Sequence, residues 1–273
     1  MFPAANPLNR EIAHAPVSPD SARYIQSIGL GAHLHPDFGT EPGYGIPFTV
    51  VGAHAPKVPI TFTEYGAESN PGPYPIPPDA PVEGAGEEGD RHVLVLQRGT
   101  CMLYELYGAE RAGNGWQASS GAVFNLRSNA LRPEGWTSAD AAGLPILPLL
   151  ARYEEVRGGR IDHALRVTVP RTQRGYIHPA THYASGSSDA GLPPMGLRLR
   201  LKAGYSLAGF NGESLVILRA LKRYGLIVAD NGSPWYITGA PDPRWDDANL
   251  EEIKRVPGSA FEAVVSGPIR HVG

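Results

Sequence analysis

His92-Val93-Leu94-Val95-Leu96 and Met102-Leu103-Tyr104-Glu105-Leu106-Tyr107 flank Arg98-Gly99-Thr100, and this stretch decides how the chain is read. Both runs are short, apolar and bounded by turn residues, so they predict two strands joined as a hairpin. Gly113-Asn114-Gly115 marks the next turn, and residues 116–124 supply a third strand. Short strands in succession, punctuated by glycine, predict an antiparallel sheet.

Outward from that core, residues 46–51 and 58–63 read as two more strands upstream, and residues 161–169 as one downstream. Residues 196–202 alternate Leu197, Leu199 and Leu201 with Arg198, Arg200 and Lys202, the pattern of a strand buried on one side only. Residues 225–230, 235–238 and 261–265 complete the strand set. Helices are predicted from Ser18-Pro19, over 213–225 and over 246–256. A short one is expected at 138–142 with Thr137 as its cap, and a turn or two at 149–156. Residues 1–17, with Pro3, Pro7 and Pro16, read as an extended arm. The proline-rich stretch 69–78 holds Tyr74 and Ile76, which favours a wrapped surface loop over a linker. The 33 glycines and 27 prolines among 273 residues favour short strands and many turns. The expected fold is one mainly β domain over residues 1–273, an antiparallel β-sandwich of jelly-roll or concanavalin type. A few peripheral helices and the arm 1–17 complete it.

A net charge of -3 offers no general attraction to nucleic acid. No apolar run reaches the roughly 18 residues of a membrane span. The lone Cys101 excludes an internal disulfide and a cysteine-based zinc cage. Gly-x-Ser-x-Gly, P-loop and dinucleotide fingerprints are missing, which lowers the case for the corresponding enzymes.

The stretch from Arg132 to Tyr183 gathers the most chemistry. Glycosidic cleavage needs a general acid and a base or nucleophile on either side of the bond, so carboxylates in structured surroundings are the first candidates. Glu105 interrupts an apolar strand, Asp140 lies beside Trp136, and Asp230 ends a strand before Asn231-Gly232, itself a good type I′ turn. Glu105 and Asp140 are the expected catalytic pair, with Asp230 as substitute and His182 as an acid–base helper. Asp140, in the first turn of the expected helix, takes the ionised role; Glu105, on its apolar strand, takes the protonated one. Trp136, Trp235 and Tyr183 are read as stacking surfaces for sugar, and Arg166 and His163 as further substrate contacts. For His163, on a face with Leu165 and Val167, a core position is the simpler role. His33-x-His35-x-Asp37 carries metal-capable side chains at alternating positions. Loop histidines bonded to backbone carbonyls are the simpler reading, and neither metal nor cofactor is expected.

Gly135-Trp136-Thr137-Ser138-Ala139-Asp140-Ala141-Ala142-Gly143-Leu144-Pro145-Ile146-Leu147-Pro148, Ile161-Asp162-His163-Ala164-Leu165-Arg166 and Ala229-Asp230-Asn231-Gly232 resemble a group of uncharacterised, mostly exported bacterial proteins. Those proteins often occur beside carbohydrate-active modules, and the resemblance runs from Asn6 to Phe261. It implies a single secreted domain in a sugar-related setting and carries no catalytic residue with it. The resulting expectation is a glycoside hydrolase acting on a polysaccharide through paired carboxylates. The alternative is a non-catalytic carbohydrate-binding or cell-surface module. The expected location is secreted, in a mature form without a signal peptide.

Overall fold

A computed structural model describes residues 1–86 and 89–272. Its strands are β1 (His35–Asp37), β2 (Phe48–Val51), β3 (Ile60–Phe62), β4 (Val93–Gln97), β5 (Met102–Tyr107), β6 (Glu110–Ala112) and β7 (Gly115–Ala118). They continue as β8 (Ser120–Asn125), β9 (Leu165–Val169), β10 (Arg198–Leu201), β11 (Leu226–Asn231), β12 (Tyr236–Thr238) and β13 (Phe261–Ala263). The α-helices are α1 (Ser21–Ile28), α2 (Tyr153–Arg157), α3 (Gly212–Arg223) and α4 (Asp247–Glu251).

The antiparallel sandwich is overturned. Among the described residues thirteen strands form three mixed sheets, ordered β1-β12-β9-β11-β10-β13, β2-β4-β5-β8 and β3-β7-β6. The β4–β5 hairpin forms as the sequence predicts, with Glu105 opposite Leu94. Parallel pairing breaks the rest of the pattern: β2 with β4, β3 with β7, β9 with β11 and β1 with β12. Alternation along a strand reports which face is buried, not the direction of its neighbour. Residues 46–51 and 58–63 therefore look like partners and belong to different sheets. Residues 116–124 divide at Ser119 into β7 and β8, again in different sheets.

Three apolar clusters fill the spaces. Around the six-stranded sheet, Leu199, Leu201, Leu226 and Val228 join Ile25 and Ile28 of α1 and Ile217, Leu218 and Leu221 of α3. The four-stranded sheet packs Leu94 and Leu103 with Ile146, Leu147 and Leu150. Val93, Val95 and Tyr104 of the same sheet meet Tyr74 and Ile76, so the proline-rich stretch is indeed anchored by its two large side chains.

One strand departs instructively from its pattern. Arg198 and Arg200 are buried along with the alternating leucines, because the N-terminal arm crosses that face. The arm's carbonyls accept their hydrogen bonds: Pro7 from Arg198 at 3.0 Å, and Ile12, Ala13 and Ala15 from Arg200 at 2.6–2.9 Å. No helix forms at 138–142. That segment is irregular, and the Thr137 N–H donates instead to Glu68 Oε2 at 2.9 Å.

Candidate functional site

A cavity of about 390 Å³ lies between the ends of β5 and β8 in the four-stranded sheet and the end of β11 in the six-stranded one. Tyr107 and Ser120, an opposed pair at the ends of β5 and β8, form part of its wall. The segment Thr137 to Ala141, Asp230 and Asn231 at the end of β11, and His182 and Ala184 from the loop after residue 180 supply most of the rest. Tyr65 and Asp90 complete the lining.

The irregular segment is held by its own polar groups. The single proton of the Ser138 hydroxyl lies between the carbonyls of Leu144, at 2.6 Å, and Asp140, at 2.9 Å, and its oxygen accepts from the Asp140 N–H. The chain then turns at Gly143, whose φ of 73° suits glycine and where a Cβ would lie 2.2 Å from Thr181 Oγ1 and 2.6 Å from the Trp136 carbonyl. Asp140 is thereby fixed over β9, where Arg166 grips it with both ends of the guanidinium: Nη2 to Oδ1 at 2.8 Å and Nε to Oδ2 at 3.1 Å. Arg166 Nη1 also donates to Thr238 Oγ1 at 2.7 Å.

A β-bulge brings the second carboxylate to the same arginine. In the β9–β11 pairing, Arg166 faces Ile227 and Val167 faces Val228, but Thr168 faces Asp230 because Ala229 is skipped. The extra residue turns Asp230 onto the face of Arg166; unbulged pairing would send it to the opposite face. Asp230 Oδ2 sits 3.8 Å from Arg166 Nη2. Arg166 is held above its usual pKa, since Asp140 and Asp230 outweigh the burial that would lower it. Asp230, with its side chain 26% exposed, is pushed up to about 7 by burial and by the Asp140 charge, against the pull of Arg166.

The sequence-predicted residues separate clearly. Asp140, Asp230 and His182 line the cavity, and Arg166 lies beneath them. Asp140 has a side-chain exposure of 0%, and its carboxylate is paired with the Arg166 guanidinium and not with a helix end. His182 Nδ1 donates to the Ala141 carbonyl at 2.7 Å, which leaves Nε2 without a hydrogen-bond partner among the described residues. Glu105 is outside the lining and fully buried. Its carboxylate accepts from the N–H groups of Ile146 and Leu147 at 2.9–3.0 Å, and burial pushes it up to about 7 against those two bonds.

Trp235 is a core side chain, stacked on Phe261 and bonded to the Gly29 carbonyl. Trp136 lies outside the lining, half-buried under the Arg132 guanidinium at 5.6 Å. His163 bonds the Ala164 carbonyl and joins Glu155 and Arg152, a satisfied core histidine. Tyr183 stacks on His182 and Tyr176 and takes a bond from Arg174. His33 and His35 bond the Lys254 carbonyl and Tyr44, and do not gather with Asp37.

Sequence reading passed over Tyr65, Asp90, Tyr107, Ser120 and Asn231. Tyr107 had a signal: it shares a strand face with Glu105, two residues nearer the strand end where a side chain can reach an opening. Close to Asp90, buried His92 pairs with Glu83 at 2.5 Å; burial would lower the imidazole, yet Glu83 lifts it to about 9. The chain matches no protein-family model, no curated protein and no solved structure. Its chemistry is read from its own geometry.

Proposed function

We propose that the protein cleaves a glycosidic bond in a polysaccharide, with the terminal sugar held in this cavity. The observation that carries the reading is Asp230: a carboxyl poised near neutrality in the wall of a polar cavity that His182 also lines, its Nε2 without a hydrogen-bond partner among the described residues. A group with that pKa can hold a proton for the leaving oxygen at neutral pH. His182 Nε2 is the group available to accept a proton from water. Tyr65 and Tyr107 line the cavity with aromatic rings and Asn231 with an amide, a wall suited to a polyhydroxylated ligand, while the Ser120 and Ser138 hydroxyls are taken up within the wall itself. In this scheme Arg166 and Asp140 set the charge of Asp230 and do not touch substrate. Glu105 is left out, because its carboxylate is occupied by two backbone N–H groups. A polysaccharide substrate fits the exported setting that the resemblance implies.

The test is a panel of polysaccharides and oligosaccharides scored for new reducing ends. Release by the wild type and none by Asp230→Asn, with the fold unchanged, is the expected result. Binding without release would select the non-catalytic sugar-binding module. Release undiminished in Asp230→Asn would remove Asp230 from the chemistry.

A further inference from the structure

Glu83, Asp90 and His92 bring two carboxylate oxygens and an imidazole nitrogen within 4.8 Å of one another, the one such trio of potential ligands among the described residues. His92 Nε2 lies 2.9 Å from the Ala139 carbonyl. A carbonyl only accepts, so Nε2 carries hydrogen and Nδ1 is the nitrogen turned toward the carboxylates. Metal-binding imidazoles are held this way, with the outer N–H on a backbone carbonyl and the inner lone pair facing the ion. Asp90 is exposed and lines the cavity, so the trio opens onto the space where a ligand would sit.

We propose that Glu83, Asp90 and His92 form a site for a divalent transition-metal ion in the cavity wall. The imidazole favours zinc over calcium or magnesium, which prefer an all-oxygen set, and the two carboxylates beside it also suit manganese. Glu83 Oε2 and His92 Nδ1 are now 2.5 Å apart and share a proton. Around an ion with bonds of about 2.0–2.2 Å they would stand roughly 3 Å apart, so the carboxylate shifts by about half an ångström. Arg166 opposes a cation here, but Asp140 and Asp230 already answer its charge. Three protein ligands leave coordination positions for water or a ligand oxygen from the cavity.

The proposal needs no sugar and stands apart from the glycosidic reading. Chelator-stripped protein would be titrated calorimetrically with manganese, zinc and magnesium chlorides, and bound metal counted by mass spectrometry. One manganese or zinc ion per chain is expected, with magnesium weaker by about ten-fold or more. Asp90→Asn, at an exposed residue, is expected to weaken the ion by about ten-fold or more at unchanged melting temperature. His92→Gln abolishes binding, read alongside its melting curve because the residue is buried. No saturable manganese or zinc binding, or binding equally tight in Asp90→Asn, overturns the site.

Discussion

Arg166 and Arg198 flank the same residue, Ile227, on one face of the six-stranded sheet, and their surroundings are opposite. Arg166 meets two carboxylates and a threonine at the cavity. Arg198 meets carbonyls of Pro7, Arg10 and Tyr224 beneath the arm, and its Nε has no partner among the described residues. The two guanidinium groups respond accordingly. Burial without a counter-charge pushes Arg198 down to about 10, whereas Asp140 and Asp230 hold Arg166 above its usual value. One arginine fastens a segment of chain; the other sets the charge of a cavity. What surrounds a buried cation, more than its place on the sheet, decides which it does.

The largest expected effect breaks the Arg166 side. Arg166→Met leaves Asp140 with no exposure and no counter-ion, a loss of about 3–5 kcal/mol. Urea unfolding measures it. A loss under about 1 kcal/mol would mean that the ion pair is not what holds the 137–144 segment on the sheet.

Arg198→Met should cost less, about 1–2 kcal/mol, because the carbonyls it abandons are neutral and the cation it removes was uncompensated. Its distinctive sign is local: the arm around residues 10–16 becomes a site of limited proteolysis while the remainder resists. If Arg198→Met destabilises as much as Arg166→Met, the contrast between clamp and charge-setter fails.

Neither role could be read from alternation. Leu197, Leu199 and Leu201 against Arg198 and Arg200 gives the burial pattern of a strand with one wet face, and the arm that dries that face lies almost two hundred residues away in sequence. The β4–β5 hairpin and α3 were legible because each is set by near neighbours in sequence, and the anchoring of the proline loop because Tyr74 and Ile76 are too large and apolar to leave in water, although their partners Val93, Val95 and Tyr104 lie farther along the chain. Parallel pairings were not, since a crossover leaves no local mark on the strand it joins. Three cavity residues were found because carboxylates and histidine near turns are chemically conspicuous. Glu105 was chosen over Tyr107 because the sequence shows that a carboxylate interrupts an apolar strand. It does not show that two N–H groups at residues 146 and 147 are waiting for it. The bulge at Ala229 is equally silent, and it alone decides which face Asp230 joins.

The finest test uses that last residue and pH. A carboxyl whose pKa is higher in the folded chain than in the unfolded one binds more protons when native. Stability from this source is complete below the unfolded value and lost as pH rises through the folded one. Asp230 and Glu105 both stand at about 7 against ordinary values near 4, so they draw stability down between about pH 4 and 7. His92, at about 9, acts in the same direction at higher pH. Glu83 and Glu155, held below their usual range, lose their contribution only under acidic conditions, beneath about pH 4.5. The urea midpoint is therefore expected to fall from pH 5 to pH 8. Asp230→Asn takes one titrating group out of that fall and puts a neutral amide beside Asp140. The variant's curve should be flatter from pH 5 to 7, closing at pH 8 on a stability equal to the wild type or higher by at most about 1 kcal/mol, since the side chain is partly hydrated. Up to about pH 6.5 the slope that remains is mainly that of Glu105, and Glu105→Gln should reduce it; above that His92 continues the fall. A slope unchanged by Asp230→Asn would show that this carboxyl is already ionised at pH 5 and has no proton to give at neutrality.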